Sequence, residues 1–188
     1  MALIREGNKK VLLIVDVQVG VMHYTWDAAR IIKNVAAAVE KARSQNIPVI
    51  WVQHAGEELA YGSPDWELAP ELVPAEGEIR IYKGFNSSFE ETTLSETLAQ
   101  LNAAHIVLAG ASTNWCIRAT AYAALDRGYD LTLIKDAHTT EIMEFDDGSK
   151  IEAADIIREL NSVMTWLNYP GRKNNTVAVD ELDFATLP

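Results

Sequence analysis

The sequence has little cysteine, few basic residues and no long apolar run, and each shortage excludes a class of protein. A single cysteine, Cys116, excludes an internal disulfide, a CxxC redox pair and a zinc cage of several thiolates. Sixteen lysines and arginines against twenty-seven acidic residues give a net charge of -11, which repels phosphates and anionic lipids. No apolar segment approaches the ~20 residues that cross a bilayer, and the start lacks a secretory cleavage pattern. We therefore expect a cytoplasmic protein that binds neither nucleic acid nor membrane.

The length and composition are those of an ordinary globular chain. Of the 188 residues, 48% are hydrophobic and 23% are charged, which is typical of a folded domain and not of disorder or coiled coil. A chain of this length matches the usual size of one domain. We expect residues 1–188 to form a single domain around one core.

Short apolar runs alternate with amphipathic segments along the chain. The runs typical of buried strands are Lys10–Asp16, Val49–Gln53, Glu78–Tyr82, Ala104–Ala109, Asp130–Ile134 and a weaker one at Thr176–Val179. Apolar residues at helical spacing predict four helices. The first begins after an N-cap at Asp27 and ends at a left-handed stop at Asn46, and the second runs from an N-cap at Thr93 to Leu101. The other two lie at Asn114–Arg127 and Ala153–Leu160. The alternation predicts an α/β fold, a three-layer α/β/α domain with a mostly parallel, Rossmann-like sheet of six strands.

Side chains with chemical function come directly after the predicted strands. In an open α/β sheet, ligands bind beyond the carboxyl ends of the strands, where strand order reverses and the loops diverge. The residues there are Asp16 and Gln18 after the first strand, Gln53 and His54 after the second, Lys83 after the third, and Gly110–Cys116 after the fourth. An acid, a base and a thiol at three strand ends predict a reactive site along one edge of the sheet.

Cys116 is the expected nucleophile of that site. In the first turn of a helix its sulfur lies near unpaired N–H groups, which favour an anion and lower the pKa of a thiol. An ammonium from Lys83 would lower that pKa further, and Asp16 can take the thiol proton and return it to a leaving amine. Backbone N–H groups of Ser112 and Cys116 would form an oxyanion hole. A Cys-His-Asp arrangement that uses His138 as base is an open alternative.

Three segments carry a resemblance to a known family. They are LLIVDVQ at Leu12–Gln18, IYKGFNSSFEETTL at Ile81–Leu94 and LAGASTNWCIRATAYAALDRGYDLTLIKDAHTT at Leu108–Thr140. With this order and spacing the sequence resembles the isochorismatase-like cysteine hydrolases, which include nicotinamidases, N-carbamoylsarcosine amidases and isochorismatases. The resemblance implies that Asp16 is the general base, Lys83 the activating cation and Cys116 the nucleophile.

The resemblance also implies a feature of the backbone and a class of substrate. It implies a cis peptide bond between Ala111 and Ser112, supported by Thr113. Nicotinamidases of the family carry an Asp-x-His metal motif after the second strand, and this chain has Gln53 and His54 there instead. Isochorismatases proper lack the nucleophilic cysteine and cleave a vinyl ether, so the cysteine favours hydrolysis of a C–N bond.

Two further departures from relatives affect the pocket. Trp115 lies beside the nucleophile where relatives often carry a smaller or acidic residue, and the loop at 19–22 has no aromatic side chain. We expect Gln18, His54 and Trp115 to bind the substrate, and we expect neither metal nor cofactor. The family is usually oligomeric, which predicts a dimer or a tetramer.

The predicted function is cleavage of an amide, ureido or lactam-like bond in a small molecule through a thioester with Cys116. Hydrolysis of another small metabolite is the first alternative. The second is a protein without catalysis that binds a ligand or senses oxidants through the thiol. A nucleotide-binding Rossmann domain is disfavoured because no glycine-rich turn follows the first strand.

Overall fold

The computed structural model describes residues 4–188 and contains one six-stranded sheet flanked by helices. The sheet is built from β1 (Lys9–Val15), β2 (Val49–His54), β3 (Ile79–Lys83), β4 (Ala103–Ala111), β5 (Asp130–Thr139) and β8 (Asn174–Val177). The helices are α1 (Val19–Met22), α2 (Ala28–Ser44), α3 (Leu94–Gln100), α4 (Arg118–Asp126) and α5 (Ala153–Trp166). A π-helical turn at Thr113–Ile117 precedes α4, a hairpin of β6 (Met143–Glu144) and β7 (Lys150–Ile151) precedes α5, and a 3₁₀ turn at Val179–Glu181 follows β8. The predicted α/β fold is confirmed.

The strand order β3-β2-β1-β4-β5-β8 reverses at the centre of the sheet, and every neighbouring pair is parallel. The chain moves outward from β1 to β3 on one side and then from β4 to β8 on the other. The reversal therefore lies between β1 and β4, which are paired from Lys10 opposite His105 to Val15 opposite Gly110. Loops diverge at such a point and leave a crevice at the carboxyl ends of the two strands.

Both faces of the sheet are covered, which explains why its central strands are apolar throughout. On one face the side chains of α3, α4 and α5 pack against the sheet, and on the other face α2 packs together with the C-terminal residues Val179, Leu182 and Phe184. Small residues on α4, including the fully buried Ala121 and Ala124, allow that helix to lie close to the strands. Among residues 4–188, no helix is long and apolar enough to cross a membrane.

Neither of the two predicted N-cap residues makes a side-chain hydrogen bond to its helix, so both predicted caps are wrong. Asp27 precedes α2 in a left-handed conformation with φ 53°, and its carboxylate pairs with Arg30 and makes no cap. Thr93 precedes α3 without a side-chain cap bond, because its backbone has nearly helical angles and not the extended ones of an N-cap. The predicted left-handed stop at Asn46 is confirmed, with φ 55°.

The centre of the sheet requires a glycine at the end of β4. Gly110 has a φ of +131°, and a Cβ built on it would lie 1.9 Å from the carbonyl oxygen of Val15 on the adjacent strand. Any side chain would therefore force β1 and β4 apart. This close approach brings Asp16, the next residue after β1, beside the turn that follows β4.

Candidate active site

Three side chains from three chain segments meet at the carboxyl edge of the sheet. Asp16 directly follows β1, Lys83 is the last residue of β3, and Cys116 lies in the π-helical turn after β4. The Lys83 Nζ lies 2.6 Å from Asp16 Oδ2 and 3.2 Å from Cys116 Sγ. The structure thus brings together an acid, a cation and a thiol that are separated by up to one hundred positions in the sequence.

Lys83 is the centre of this group. Its side chain is completely buried. Besides the carboxylate and the thiol, its Nζ donates to the carbonyl oxygen of Phe85 at 3.1 Å and lies 3.4 Å from His54 Nδ1. An ammonium has three N–H donors, and these four acceptors use them all. The cation is therefore held in one place between Asp16 and Cys116.

Asp16 is buried in a way that suits a base. Its backbone has φ 53°, a left-handed conformation that aspartate adopts more readily than most residues. Beyond the ion pair with Lys83, neither carboxylate oxygen has a hydrogen-bond partner among residues 4–188. Burial raises the pKa of Asp16 above its ordinary value, although Lys83 opposes this effect. The carboxylate thus holds a proton more readily than an exposed aspartate while remaining paired with a cation.

The expectation of a low pKa for Cys116 is wrong. Burial raises the pKa of this thiol to about 12, and the negative charge of Asp16 raises it further than Lys83 lowers it. The resting group is consequently a neutral thiol, whose S–H faces the amide oxygen of Asn86 at 3.9 Å. A thiol of this kind becomes nucleophilic only when a proton acceptor takes its proton.

The turn that carries the Cys116 thiol and precedes α4 has an irregular backbone. The peptide bond between Ala111 and Ser112 is cis, as the resemblance predicts. The N–H of Ile117 donates to the carbonyl of Ser112 at 3.1 Å, which is the wide spacing of a π turn. Among residues 4–188, the N–H groups of Ser112 and Cys116 donate to no backbone carbonyl outside this turn.

The structure does not bring Gln18 into the crevice as a substrate ligand. Its side chain is completely buried, and its amide NH₂ donates to the carbonyl oxygens of His54 and Trp66 at 3.0 and 2.8 Å. Its amide oxygen accepts the N–H of His54 at 2.8 Å. Gln18 therefore joins β2 to the long loop at 56–77 and orients His54 from behind.

His54 itself is half-buried beside Lys83. Burial lowers its pKa, and the positive charge of Lys83 lowers it further. The ring is therefore neutral near pH 7, and its Nδ1 faces an ammonium that can only donate. This arrangement leaves the proton on Nε2, on the side of the ring away from Lys83.

Sequence reasoning names Trp115 but misses Asn86. Trp115 precedes Cys116 in the chain, and its side chain is half-exposed. Asn86 lies three positions after Lys83 inside one of the segments that carry the resemblance, and it is the acceptor that faces the thiol. Its position in that segment was the only signal, because an asparagine in a loop is usually a turn residue.

His138 is not positioned as the base of a Cys-His-Asp triad. Its ring is completely buried, with Nδ1 2.9 Å from Thr113 Oγ1 and Nε2 3.0 Å from Asn161 Oδ1. The carboxylate of Asp136 accepts the N–H of Val179 and not a ring proton. Both ring nitrogens are thus occupied by groups other than Cys116 and Asp136.

Comparison with known proteins places the chain in one family. The family model described as the isochorismatase domain matches residues 10–162. The chain is similar to the crystal structure of an isochorismatase from Pseudomonas putida KT2440, with a TM-score of 0.84 at 28% identity over 94% of this chain and 93% of that one. The chain therefore belongs to the isochorismatase family of hydrolases, and the resemblance seen in its sequence is confirmed.

Two curated relatives match shorter regions. The secreted isochorismatase effector Isc1 of Verticillium dahliae is 35% identical over 55% of this chain and 57% of its own length. The streptothricin hydrolase of Streptomyces noursei is 31% identical over 69% of this chain and 54% of its own length. The chain thus spans between half and two thirds of the length of these two relatives.

Proposed function

We propose that this protein hydrolyses a C–N bond of a small amide, ureido or lactam-like compound through a thioester with Cys116. The observation that carries the proposal is the contact of one buried cation, Lys83, with both the Asp16 carboxylate and the Cys116 sulfur. A thiol with a high pKa next to a carboxylate that lacks other partners is a nucleophile paired with its base. The amidohydrolase class is consistent with a family whose members include hydrolases of small molecules.

In the first half of the reaction, the Asp16 carboxylate takes the thiol proton as the sulfur attacks the carbonyl carbon. Lys83 stabilises the negative charge that develops on sulfur. The carbonyl oxygen becomes an oxyanion within reach of the Ser112 and Cys116 N–H groups, a contribution of roughly 3 to 4 kcal/mol for one such donor. Protonated Asp16 then gives its proton to the nitrogen, the C–N bond breaks and the amine or ammonia leaves.

In the second half, water attacks the thioester. Asp16, again ionised, takes a proton from that water, the C–S bond breaks and the proton returns to the Cys116 sulfur. The products are a carboxylic or carbamic acid and an amine or ammonia, which stay in one molecule when the substrate is a lactam, and the site regains its resting protonation. The absence of a well-formed hydrogen bond from the thiol to Asp16 in the free site agrees with catalytic contacts that tighten only when the substrate binds.

His54 and Trp115 are the proposed substrate contacts. The Nε2–H of neutral His54 is a donor for a polar group of the substrate, and the half-exposed indole of Trp115 supplies an apolar wall. Gln18 holds the backbone of His54 through two hydrogen bonds and the carbonyl oxygen of Trp66 through a third, and we assign it no contact with the substrate. The predictions of a small-molecule partner and of a dimer or tetramer remain predictions.

The high pKa of Cys116 argues against a role as an oxidant sensor. Sensor cysteines react as thiolates and carry lowered pKa values, whereas burial and Asp16 raise the pKa of Cys116 to about 12. The geometry thus favours a thiol that becomes nucleophilic only when Asp16 accepts its proton.

The proposal is tested with a panel of small primary amides, ureido compounds and lactams, scored by release of ammonia or of a new carboxylate. We expect at least one compound to be turned over, and Cys116→Ala to lower that turnover by about 10⁴-fold or more, as loss of a covalent nucleophile does. The melting temperature of Cys116→Ala should stay within a few degrees of the parent. Undiminished turnover by folded Cys116→Ala would exclude the thioester route.

A further inference from the structure

We infer that His138 and Asn161 are positioning residues for the nucleophile, connected to it through Thr113. The three side chains form a buried chain of hydrogen bonds that runs from α5, across the end of β5, to the turn that carries Cys116. This inference rests on the proposed function, because it assigns residues that orient the proposed nucleophile. None of the three side chains needs to touch the substrate.

The sheet brings His138 to this place through an irregularity in β5. Leu108 of β4 pairs with Leu133, but Gly110, only two positions later, pairs with His138. The three extra residues of β5 bulge out between these pairs, so the strand continues past its charged residues. His138 therefore lies beside the end of β4, next to the residue that begins the π-helical turn, Thr113.

The hydrogen bonds fix which ring nitrogen of His138 carries the proton. The amide NH₂ of Asn161 donates to the carbonyl oxygen of Lys135 at 2.9 Å, so its Oδ1 is the atom that faces His138 Nε2. An amide oxygen only accepts, and Nε2 must therefore carry a proton. In the neutral ring Nδ1 is then an acceptor, and the hydroxyl of Thr113 donates to it.

The ring is neutral under ordinary conditions. Complete burial lowers the pKa of His138 to about 4, against weaker opposing effects of Asn161 and of Asp136, the charged group that faces it. One fixed tautomer thus orients the Thr113 hydroxyl in one direction. Thr113 lies three residues before Cys116 in the same turn, so the bond to His138 anchors the start of the turn that carries the sulfur.

The consequence is a coupling between a residue on α5 and the reaction at the sheet edge. Asn161 is half-buried on α5 and contacts neither Asp16, Lys83 nor Cys116 in the hydrogen-bond network. Loss of the Asn161 side chain would leave the Nε2–H of His138 without its acceptor. The His138 ring would then no longer be restricted to one tautomer. A misplaced reacting group lowers the rate steeply even when binding is unchanged.

We test this with Thr113→Val, which removes the hydroxyl at constant shape, Asn161→Ala, and the double variant. With any substrate that Cys116 turns over, Thr113→Val should lower kcat by about tenfold or more, and Asn161→Ala by about threefold to tenfold, with KM unchanged. The double variant should be no slower than Thr113→Val alone, because both changes interrupt one chain of bonds. Thr113→Ser, which keeps the hydroxyl, should recover most of kcat.

Matched controls separate positioning from stability. Ser162→Ala alters the neighbouring position on α5, whose hydroxyl bonds only the carbonyl of Arg158, and should leave kcat unchanged. Nitrogen-15 NMR of the His138 ring should report the Nε2–H tautomer in the parent and a mixture in Asn161→Ala. A kcat for Asn161→Ala equal to the parent, or additive losses in the double variant, would overturn the inference. Loss of the proposed function itself would show separately, as turnover that survives Cys116→Ala.

Discussion

Asp16→Asn is expected to lower turnover by about 10²- to 10⁴-fold and at the same time to make Cys116 easier to alkylate. The first effect follows because an amide cannot take the thiol proton or return it to the leaving nitrogen. The second follows because the negative charge of Asp16 raises the pKa of Cys116. With that charge removed, the lowering effect of Lys83 is no longer opposed by a carboxylate. A variant that is chemically more reactive and catalytically less active is the signature of a base.

The measurement is the rate of alkylation by iodoacetamide as a function of pH. Cys116 is the single cysteine of the chain, so the added mass reports this site alone. In the parent the rate should still be rising at about pH 10, above the ~8.5 of a free thiol. In Asp16→Asn the inflection should move to lower pH. Asp136→Asn, which changes a carboxylate bonded to the Val179 N–H, is the matched control.

An inflection that stays in place or rises in Asp16→Asn would contradict the electrostatic part of the account. It would mean that Asp16 does not act on the thiol in the folded protein. Equal turnover by parent and Asp16→Asn would contradict the catalytic part independently of the alkylation result.

Lys83→Met is expected to lower the free energy of unfolding at pH 7 by about 3 to 5 kcal/mol, the usual effect of removing one partner of a buried ion pair. Both side chains of the pair are buried, with 0% exposure for Lys83 and 2% for Asp16. The variant leaves the Asp16 carboxylate buried without the cation that pairs with it. Lys83 lowers the pKa of Asp16, so its loss must raise that pKa further.

The stability loss should depend on pH in one direction. A carboxyl group whose pKa is raised in the folded state favours unfolding once the pH rises above its unfolded value, because the unfolded chain releases the proton first. The difference between Lys83→Met and the parent should therefore be large at pH 7.5 and smaller near pH 4.5. Urea unfolding at the two pH values measures it.

A double variant gives the control for this prediction. Asp16→Asn combined with Lys83→Met leaves no charge in the site and should recover most of the stability lost in Lys83→Met alone. A double variant as unstable as Lys83→Met would show that packing of the lysine chain, and not its charge, stabilises this edge of the sheet.

Much of the fold is predictable from the sequence because the signals are strong and local. Apolar runs such as Lys10–Asp16 have few alternatives to a buried strand, and α2 ends at Ser44, two residues before the predicted left-handed stop at Asn46. The end of β5 was missed because Lys135 and Asp136 look like a strand end, whereas the strand continues past them through a bulge. A bulge depends on pairing with β4, which no local pattern of one strand contains.

The sequence likewise predicts some features of the candidate site and not others. Asp16, Lys83 and Cys116 were predictable because strand ends of a parallel sheet meet at one edge and because the surrounding segments resemble a known family. The pKa of Cys116 was predicted in the wrong direction, because its helix turn was visible in the sequence and its burial was not. The structural role of Gln18 was missed for a related reason, since its partners are backbone atoms distant in the sequence, those of His54 at the end of β2 and of Trp66 in the loop at 56–77.

Direct detection of the thioester tests the central claim. A substrate found in the panel is mixed with the protein, the reaction is quenched in acid within milliseconds to seconds, and the mass of the peptide that contains Cys116 is measured. The account predicts an increase equal to the acyl part of the substrate, formed as the amine is released, and conversion to a hydroxamate product when hydroxylamine competes with water. Turnover with no adduct, no hydroxamate and no loss in Cys116→Ala would contradict it.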